Sequence, residues 1–519
     1  MLAKTRHLLS NSVGGGAIII AIFSILSRLI GLFRDRLLTA NFGAGEILDA
    51  YYAAFRLPDL VFNTLVLGAL SSAFIPIFLE VYSKNKEEAW SVANSVLNIL
   101  FVIILIFVIV FFIFAPVLVN LIVPGFNKET KNLTIQLTRV MLIGILFFTL
   151  SNVVSSILNS FRRFFAYSLA PVMYNLGIIF GILFFVPRVG PIGLAWGVVF
   201  GSFLHFLSQL PSLFHSGYHW QPNFDWLNSA VRKIGFLMLP RCFGLAISQF
   251  NLIVTTLIAS TLISGTIAIY NLAFNLVSFP INIFGTSLAV AVFPVFSKSL
   301  VDGQKDLFIH HFSKTVRRIL YLIIPTSVVL ILLRAQIVRL ILGVGKFDWQ
   351  DTFLTAQALG YFSISLFAQS LIPVLARAFY AKKDTITPVK AAVVGLIVNI
   401  VGCLILGPKM GVAGLALAFS FSSIINLLLL FIILKKQVGN LDEKRILRST
   451  LKIVCLSFLM ALAIQFVKYQ IVSLVNMQTF LGVLIQFLVA SLIGGIFYFI
   501  LSLIFECEEV WIIKRYLKF

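Results

Sequence analysis

Charge is scarce in this 519-residue chain. Only 11% of its residues are Asp, Glu, Lys or Arg, and the acids are the rarer sign, 19 against 40 Lys and Arg. A soluble domain carries about a quarter charged residues, so no water-facing surface can be assembled from this composition. With 60% hydrophobic residues and a mean hydropathy of +1.03, the solvent is lipid. Cysteine is scarce as well: Cys242, Cys403, Cys455 and Cys507 lie far apart with no CxxC, which excludes a disulfide framework or thiolate metal site. The six histidines form no cluster of metal-ligand spacing with Asp or Glu. No cofactor, metal or enzymatic centre is expected. A small-residue cleavage site is missing too. The apolar run after Lys4 and Arg6 continues straight into Arg28 and Arg34, which reads as a retained first helix.

What is abundant is apolar sequence in lengths of roughly 20 residues, enough to cross a bilayer as helix. The expected fold is an all-α polytopic membrane protein of about fourteen transmembrane helices. Spans are predicted near 15–41, 49–79, 92–116, 134–158, 165–187, 191–211, 231–258, 267–296, 316–333, 352–376, 387–407, 411–434, 450–468 and 480–505. Nothing remains for a sizeable soluble domain.

The formal charge of +21 invites a nucleic-acid reading, but its distribution argues otherwise. On the N-terminal side of the membrane the loops and ends carry 26 Lys and Arg, and the opposite loops carry 8. Cytoplasmic loops are the basic ones, so both termini are expected in the cytoplasm of a bacterial inner-membrane protein. No nucleic-acid partner is needed.

The sequence repeats itself. Gly190-Pro191-Ile192-Gly193-Leu194-Ala195 returns as Gly411-Val412-Ala413-Gly414-Leu415-Ala416, and segment 50–78 aligns with 268–296 at nearly the same offset. Six helices per unit is an even number, so the two units share one orientation, as parallel transporter repeats do. The expected domains are an N-lobe (1–220, helices 1–6), a C-lobe (221–440, helices 7–12) and two further helices (441–519).

Ionisable residues inside a membrane are costly and mark function. Most lie in the first two spans. Helix 1 offers Arg28, Arg34, Asp35 and Arg36, and helix 2 offers Asp49, Arg56 and Asp59. Arg28 and Asp35, seven apart, share a face, and Arg56 and Asp59 have pairing distance. Ion pairs that only hold helices together would account for some of these, but the arginines outnumber the acids. A surplus cation calls for an anionic ligand, and guanidinium binds phosphate in bidentate fashion. Arg241, after Pro240 in helix 7, is either an interfacial cation or the C-lobe's contribution to the same ligand. His215, Tyr218, His219, Trp220 and Trp226 before helix 7 read as an interfacial belt.

The run Ser27-Arg28-Leu29-Ile30-Gly31-Leu32-Phe33-Arg34-Asp35, followed by Phe42-Gly43-Ala44-Gly45 and Asp49-Ala50, resembles the opening of the MurJ/MviN family of lipid II flippases. Ala73-Phe74-Ile75-Pro76, Ile157-Leu158-Asn159-Ser160, Ser248-Gln249, Gly345-Lys346-Phe347 and Thr387-Pro388-Val389-Lys390 continue the likeness in the family's order, over roughly residues 20–430. The resemblance implies export of an undecaprenyl-diphosphate-linked disaccharide-pentapeptide to the outer leaflet for cell-wall synthesis. It implies alternating access around a cavity lined by helices 1, 2, 7 and 8, and a lipid-tail groove at helices 13 and 14. Arg28 and Arg34 would hold the diphosphate, Asp35 and Asp49 would orient them or gate the outer mouth, and Arg56 takes a position often basic in the family. The implied partners are the lipid-linked diphosphate glycolipid, the phospholipid bilayer and cell-wall synthesis enzymes. The chain departs from the family where Phe62-Asn63, Leu67 and Asn275 replace charged residues, and Arg241 is the candidate to supply part of the missing charge. The rivals are a flippase for another polyprenyl-diphosphate oligosaccharide, an ion-coupled drug exporter, and a non-transporting membrane scaffold.

Overall fold

The computed structural model describes residues 13–510, apart from the side chains of residues 13–17, 67–72, 239–241 and 243–244. Lys4, Arg6, the three C-terminal cations and the side chain of Arg241 therefore lie outside the described residues.

Among the described residues every element is helical. Helix α1 is Val13–Phe42. Helix α2 (46–84) is broken into Glu46–Ala54, Arg56–Val61, a π-helical turn Phe62–Leu67, and Gly68–Lys84. Then come α3 (Lys86–Ile122), α4 (Lys128–Ser160), α5 (Phe164–Val189), α6 (Ile192–Phe214), α7 (Ser229–Ser260) and α8 (Thr266–Val301). Next are α9 (Lys305–Leu332), the short α10 (Arg334–Ile341), α11 (Trp349–Ile364) and α12 (Leu366–Ala381). The chain ends with α13 (Ile386–Met410), α14 (Val412–Val438), α15 (Glu443–Val472) and α16 (Phe480–Ile504).

Ten of these are long and apolar enough to span a membrane, and α11 with α12, bent by 46°, makes an eleventh. Among the described residues, length and apolarity alone pick out fewer spans than the expected fourteen. Helix α1 carries four charges, and α2 is in short pieces. Polar and broken helices are the ones a transporter turns toward water or cargo.

The chain divides into two compact units at Ile267/Ala268. In the first, α6 packs on α4 and α5. Lipid supplies no hydrophobic drive between helices, so close backbone approach does the work. Gly177 and Gly181 of α5 meet Gly201 and Gly197 of α6: a Cβ on Gly177 would lie 2.2 Å from the Gly201 Cα, and one on Gly181 would lie 2.3 Å from that of Gly197. Phe74, Phe78, Val96, Val154 and Leu158 form part of one buried cluster, and α7 packs on the Gly68–Lys84 segment beside it. The segment leading into α7 is strapped across α3: Asn94 Nδ2 donates to the His219 carbonyl, Asn98 Nδ2 to those of Gln221 and Asn223, and Tyr218 Oη to Asn94 Oδ1. Trp220 and Trp226 stay exposed, but Tyr218 is buried and does not join an interfacial belt. A row of amides on α3 gives its hydroxyl a partner, which the loop sequence alone does not reveal.

In the second unit α13 and α14 form a close hairpin, α15 packs on α9 and α16 on α15. Arg317 of α9, buried, donates from Nη1 to Glu509 Oε1 at 2.6 Å and Glu508 Oε2 at 2.9 Å. Arg445 adds a 2.7 Å bond to Glu508 Oε2, so the chain beyond α16 is clamped to α9 and α15.

The internal repeat is visible in local geometry. Gly190 and Gly411 both take positive φ (70° and 60°) at the start of a helix, and Gly193 and Gly414, three residues on, both abut the end of the preceding helix. The π turns Phe62–Leu67 and Ile281–Thr286 sit 219 residues apart, each with Asn, Asn63 or Asn282, in second place. An inserted π turn costs regular hydrogen bonding and tends to mark function, and here it recurs with the repeat.

Candidate functional site

Three small or polar residues of α1 prepare a landing place. Ser27, Gly31 and Arg34 are spaced i, i+4, i+7 and so share one face. Against that face lies Asn175 of α5. Its Nδ2 donates to the Ser27 carbonyl (3.3 Å), Ser27 Oγ (3.2 Å) and the Pro171 carbonyl (3.1 Å), and its Oδ1 accepts from Arg34 Nη1 at 3.0 Å. Gly31 lies under Asn175, where a Cβ would be in ordinary contact with its Oδ1 at 3.7 Å. Arg34 also donates from Nε (3.0 Å) and Nη2 (2.7 Å) to Oδ1 of Asp35, which is buried. The guanidinium is thus held on two sides while its side chain stays 20% exposed.

Spacing puts Asp35 on one face with Arg28, and Arg34 on another flank; in the structure the Arg34 guanidinium reaches Asp35, its sequence neighbour, while Asn175 holds its other edge. Arg28 is partly exposed and makes no hydrogen bond or ion pair among the described residues.

Arg56 is buried at the start of the second α2 piece, and its Nε donates to Thr256 Oγ1 of α7 at 2.7 Å. Asp59, three residues on, is its electrostatic neighbour. Tyr52 is an electrostatic neighbour of both Arg34 and Arg56. Its hydroxyl is buried and has no hydrogen-bond partner among the described residues. Such an orphan asks for an explanation.

Asp49 is buried and its Oδ2 accepts from the Gly265 amide at 2.6 Å. Gly265 has φ +88°, and a Cβ there would lie 2.0 Å from the Ala44 carbonyl oxygen. Nearby, the Gly125 amide donates to Ser260 Oγ at 3.3 Å. The end of α7 is therefore fastened to the 42–49 turn and to the loop before α4. Asn63 lies in the π turn of α2, partly buried and without a hydrogen bond among the described residues. Asn275 belongs to the second unit, half-buried on α8 beside Phe274.

Within the first unit, then, the structure brings Arg34 and Asp35 together with Asn175, and sets Tyr52 and Arg56 nearby. Asn175 and Thr256 were not foreseen. The available signal was a lone amide in the apolar run of α5, since polar side chains in membrane helices bond across helices. This arrangement holds a rigid guanidinium beside an unspent hydroxyl, and it is suited to binding a phosphate-type anion rather than to bond-making chemistry.

A family profile described as lipid II flippase MurJ matches residues 38–503. The lipid II flippase MurJ of Burkholderia cenocepacia is 31% identical, over 80% of this chain and 82% of its own length. The probable lipid II flippase MurJ of Buchnera aphidicola is 30% identical, over 92% of this chain and 94% of its own. A solved lipid II flippase MurJ in an inward closed conformation superposes with a TM-score of 0.79 at 30% identity, covering 94% of this chain and 98% of that one. An inward-facing multidrug resistance transporter of the MATE family, at 14% identity and TM-score 0.68, shares the fold over 82% of this chain and 99% of its own. A membrane chain with an arginine-rich first helix, matched nearly end to end in sequence and in fold, belongs to the lipid II flippase MurJ family.

Proposed function

We propose that the chain is a lipid II flippase: it moves an undecaprenyl-diphosphate-linked peptidoglycan precursor from the cytoplasmic to the outer leaflet of the bacterial inner membrane by alternating access. The observation that carries this reading is Arg34, held by Asp35 and Asn175 with part of its guanidinium still open. A planar fork fixed on two edges presents its remaining donors to a diphosphate without further ordering. Arg28, six residues earlier on α1, supplies a second cation. Tyr52 Oη supplies a neutral donor, and Arg56 raises the local positive potential from α2.

Asn63, where the family resemblance implies charge, leaves the head-group site less cationic, and Arg241 is assigned part of the replacement charge. Asp49 holds the turn at Gly265, and its release is assigned to the opening of that end. The polyprenyl tail runs along α15 and α16, both termini are cytoplasmic, and cell-wall synthesis enzymes make the cargo and consume it.

Work is done by electrostatic capture and a conformational switch. Complementation tests the proposal directly. In a strain depleted of its lipid II flippase, expression of this chain is expected to restore growth, and Arg34→Ala to abolish rescue. A well-expressed wild-type chain that fails there, yet rescues an O-antigen flippase mutant, moves the assignment to another polyprenyl-diphosphate glycolipid. Silent Arg28→Ala and Arg34→Ala variants point to a scaffold.

A further inference from the structure

Phe148 of α4 meets aromatic rings from three other helices. Centroid to centroid, Phe62 in the π turn of α2 lies 5.0 Å away, Tyr174 of α5 lies 5.0 Å away at 66°, and His205 of α6 lies 5.3 Å away at 66°. All four rings are partly exposed, unlike Phe74 and Phe78 of the nearby core, which are fully buried. Gly201, one turn before His205 on α6, gives the Tyr174 ring its place: a Cβ there would lie 3.0 Å from Tyr174 Cδ2. The row begins at the anion site, because Tyr174 directly precedes Asn175 and is an electrostatic neighbour of Arg34.

Two polar edges on this row are unspent. The Tyr174 hydroxyl makes no hydrogen bond among the described residues. Of the His205 ring nitrogens only Nδ1 is engaged, 2.6 Å from Ser151 Oγ. That Oγ accepts from Gln209 Nε2 at 2.6 Å, and Gln209 Oε1 accepts from Ser155 Oγ at 2.8 Å. Ser151 and Gln209 are fully buried, so the imidazole is fixed at one nitrogen while the other has no hydrogen bond among the described residues. Rings that only filled a core would gain nothing from idle donors.

We propose that this row is a sugar-binding ledge for the glycan of the cargo: a pyranose lays its C–H face against Phe148 and Tyr174, and its polar substituents bond to Tyr174 Oη and His205 Nε2. The proposal rests on the lipid II reading, which puts the diphosphate at Arg34 and therefore the saccharide beside it. The chemistry selects a sugar. A pyranose has an apolar face and hydrogen-bonding edges, and it matches rings that carry a polar tip. Small-ligand sites are built in the same way, mostly apolar and aromatic with a few placed polar groups. A lipid tail in this place would leave both polar edges unpaired in hydrocarbon, which is costly.

The test compares two probes on the full chain in detergent by isothermal titration: undecaprenyl diphosphate, and the same lipid bearing the disaccharide without its peptide. Wild type is expected to bind the disaccharide lipid more tightly. Tyr174→Phe removes one hydroxyl, and His205→Asn keeps a polar atom near the place of Nδ1 but loses Nε2. Each is expected to weaken binding of the disaccharide lipid about fivefold and to leave the bare diphosphate lipid unchanged. Phe148→Leu removes the central ring and is expected to cost the disaccharide lipid about tenfold. Thermal unfolding checks each variant, and the two polar-edge changes stand in should Phe148→Leu fail to fold. Equal wild-type affinity for the two lipids, or losses that are the same for both, overturns the proposal and assigns the rings to packing. Arg34→Ala separates the ledge from the reading beneath it. It is expected to weaken both lipids. Should it weaken both while the three ledge variants bind the disaccharide lipid as wild type does, only the ledge fails. Should it weaken neither, the diphosphate assignment fails and the ledge with it.

Discussion

Asn175 Oδ1 accepts a hydrogen bond from Arg34 Nη1 at 3.0 Å, and through it α5 decides where the cation of α1 points. Removing that contact leaves the charge but frees its direction. A hydrogen bond to a charged group is worth about 1.5–3 kcal/mol. Asn175→Ala is therefore expected to weaken binding of a polyprenyl diphosphate by roughly ten- to a hundredfold. Isothermal titration in detergent checks this, with complementation as the cellular readout. Arg34→Lys is expected to do no better than Asn175→Ala, since an ammonium lacks the planar fork.

Tyr52→Phe deletes one buried hydroxyl that has no partner among the described residues. If that oxygen serves only packing, the variant loses nothing and gains slightly in stability, because an unpaired buried polar group is costly. If it serves the ligand, thermal stability holds while diphosphate binding falls by about fivefold, in line with a net hydrogen bond of about 1 kcal/mol. The second result is expected, and measuring both quantities on one preparation separates the two roles.

Gly265→Ala introduces a Cβ 2.0 Å from the Ala44 carbonyl oxygen, on a backbone at φ +88°. Relief requires the turn to leave Asp49. The variant is expected to lose about 1–3 kcal/mol of stability from backbone strain, read as a lower melting temperature in detergent. A cysteine placed at Ser260 is expected to react faster with a water-soluble maleimide in this background than in the wild-type background.

The clamp beyond α16 responds to pH. Hydrogen bonds from Arg445 and Arg317 hold the Glu508 carboxyl below the usual glutamate range. A lowered folded-state value means the contribution is fully present above the unfolded value of about 4.3 and fades as pH falls through the lower folded value. Glu508→Gln is thus expected to lower the melting temperature at pH 7. The gap from wild type should close in acid, below pH ~4. A gap that is the same at both pH values would assign the effect to packing.

The sequence by itself determined the class of molecule. Apolar runs with so few charges leave only lipid as solvent, and the two glycine-led motifs at 190 and 411 were readable as a repeat because positive φ combined with ψ of −155° and −137° is open essentially to glycine alone. It also marked the first two helices as the chemical ones, since intramembrane arginines are too costly to be incidental.

Partners were another matter. Periodicity places residues on faces of one helix, but it is silent on which helix packs against that face. Only the tertiary structure put Asn175 beside Arg34, Thr256 beside Arg56 and the Gly265 amide on Asp49, pairs separated by 141, 200 and 216 residues. Only the structure shows that Arg34, on another flank of α1 by spacing, reaches its sequence neighbour Asp35. Only the tertiary structure, too, showed Tyr218 turning inward, because its partner Asn94 lies 124 residues earlier in the chain.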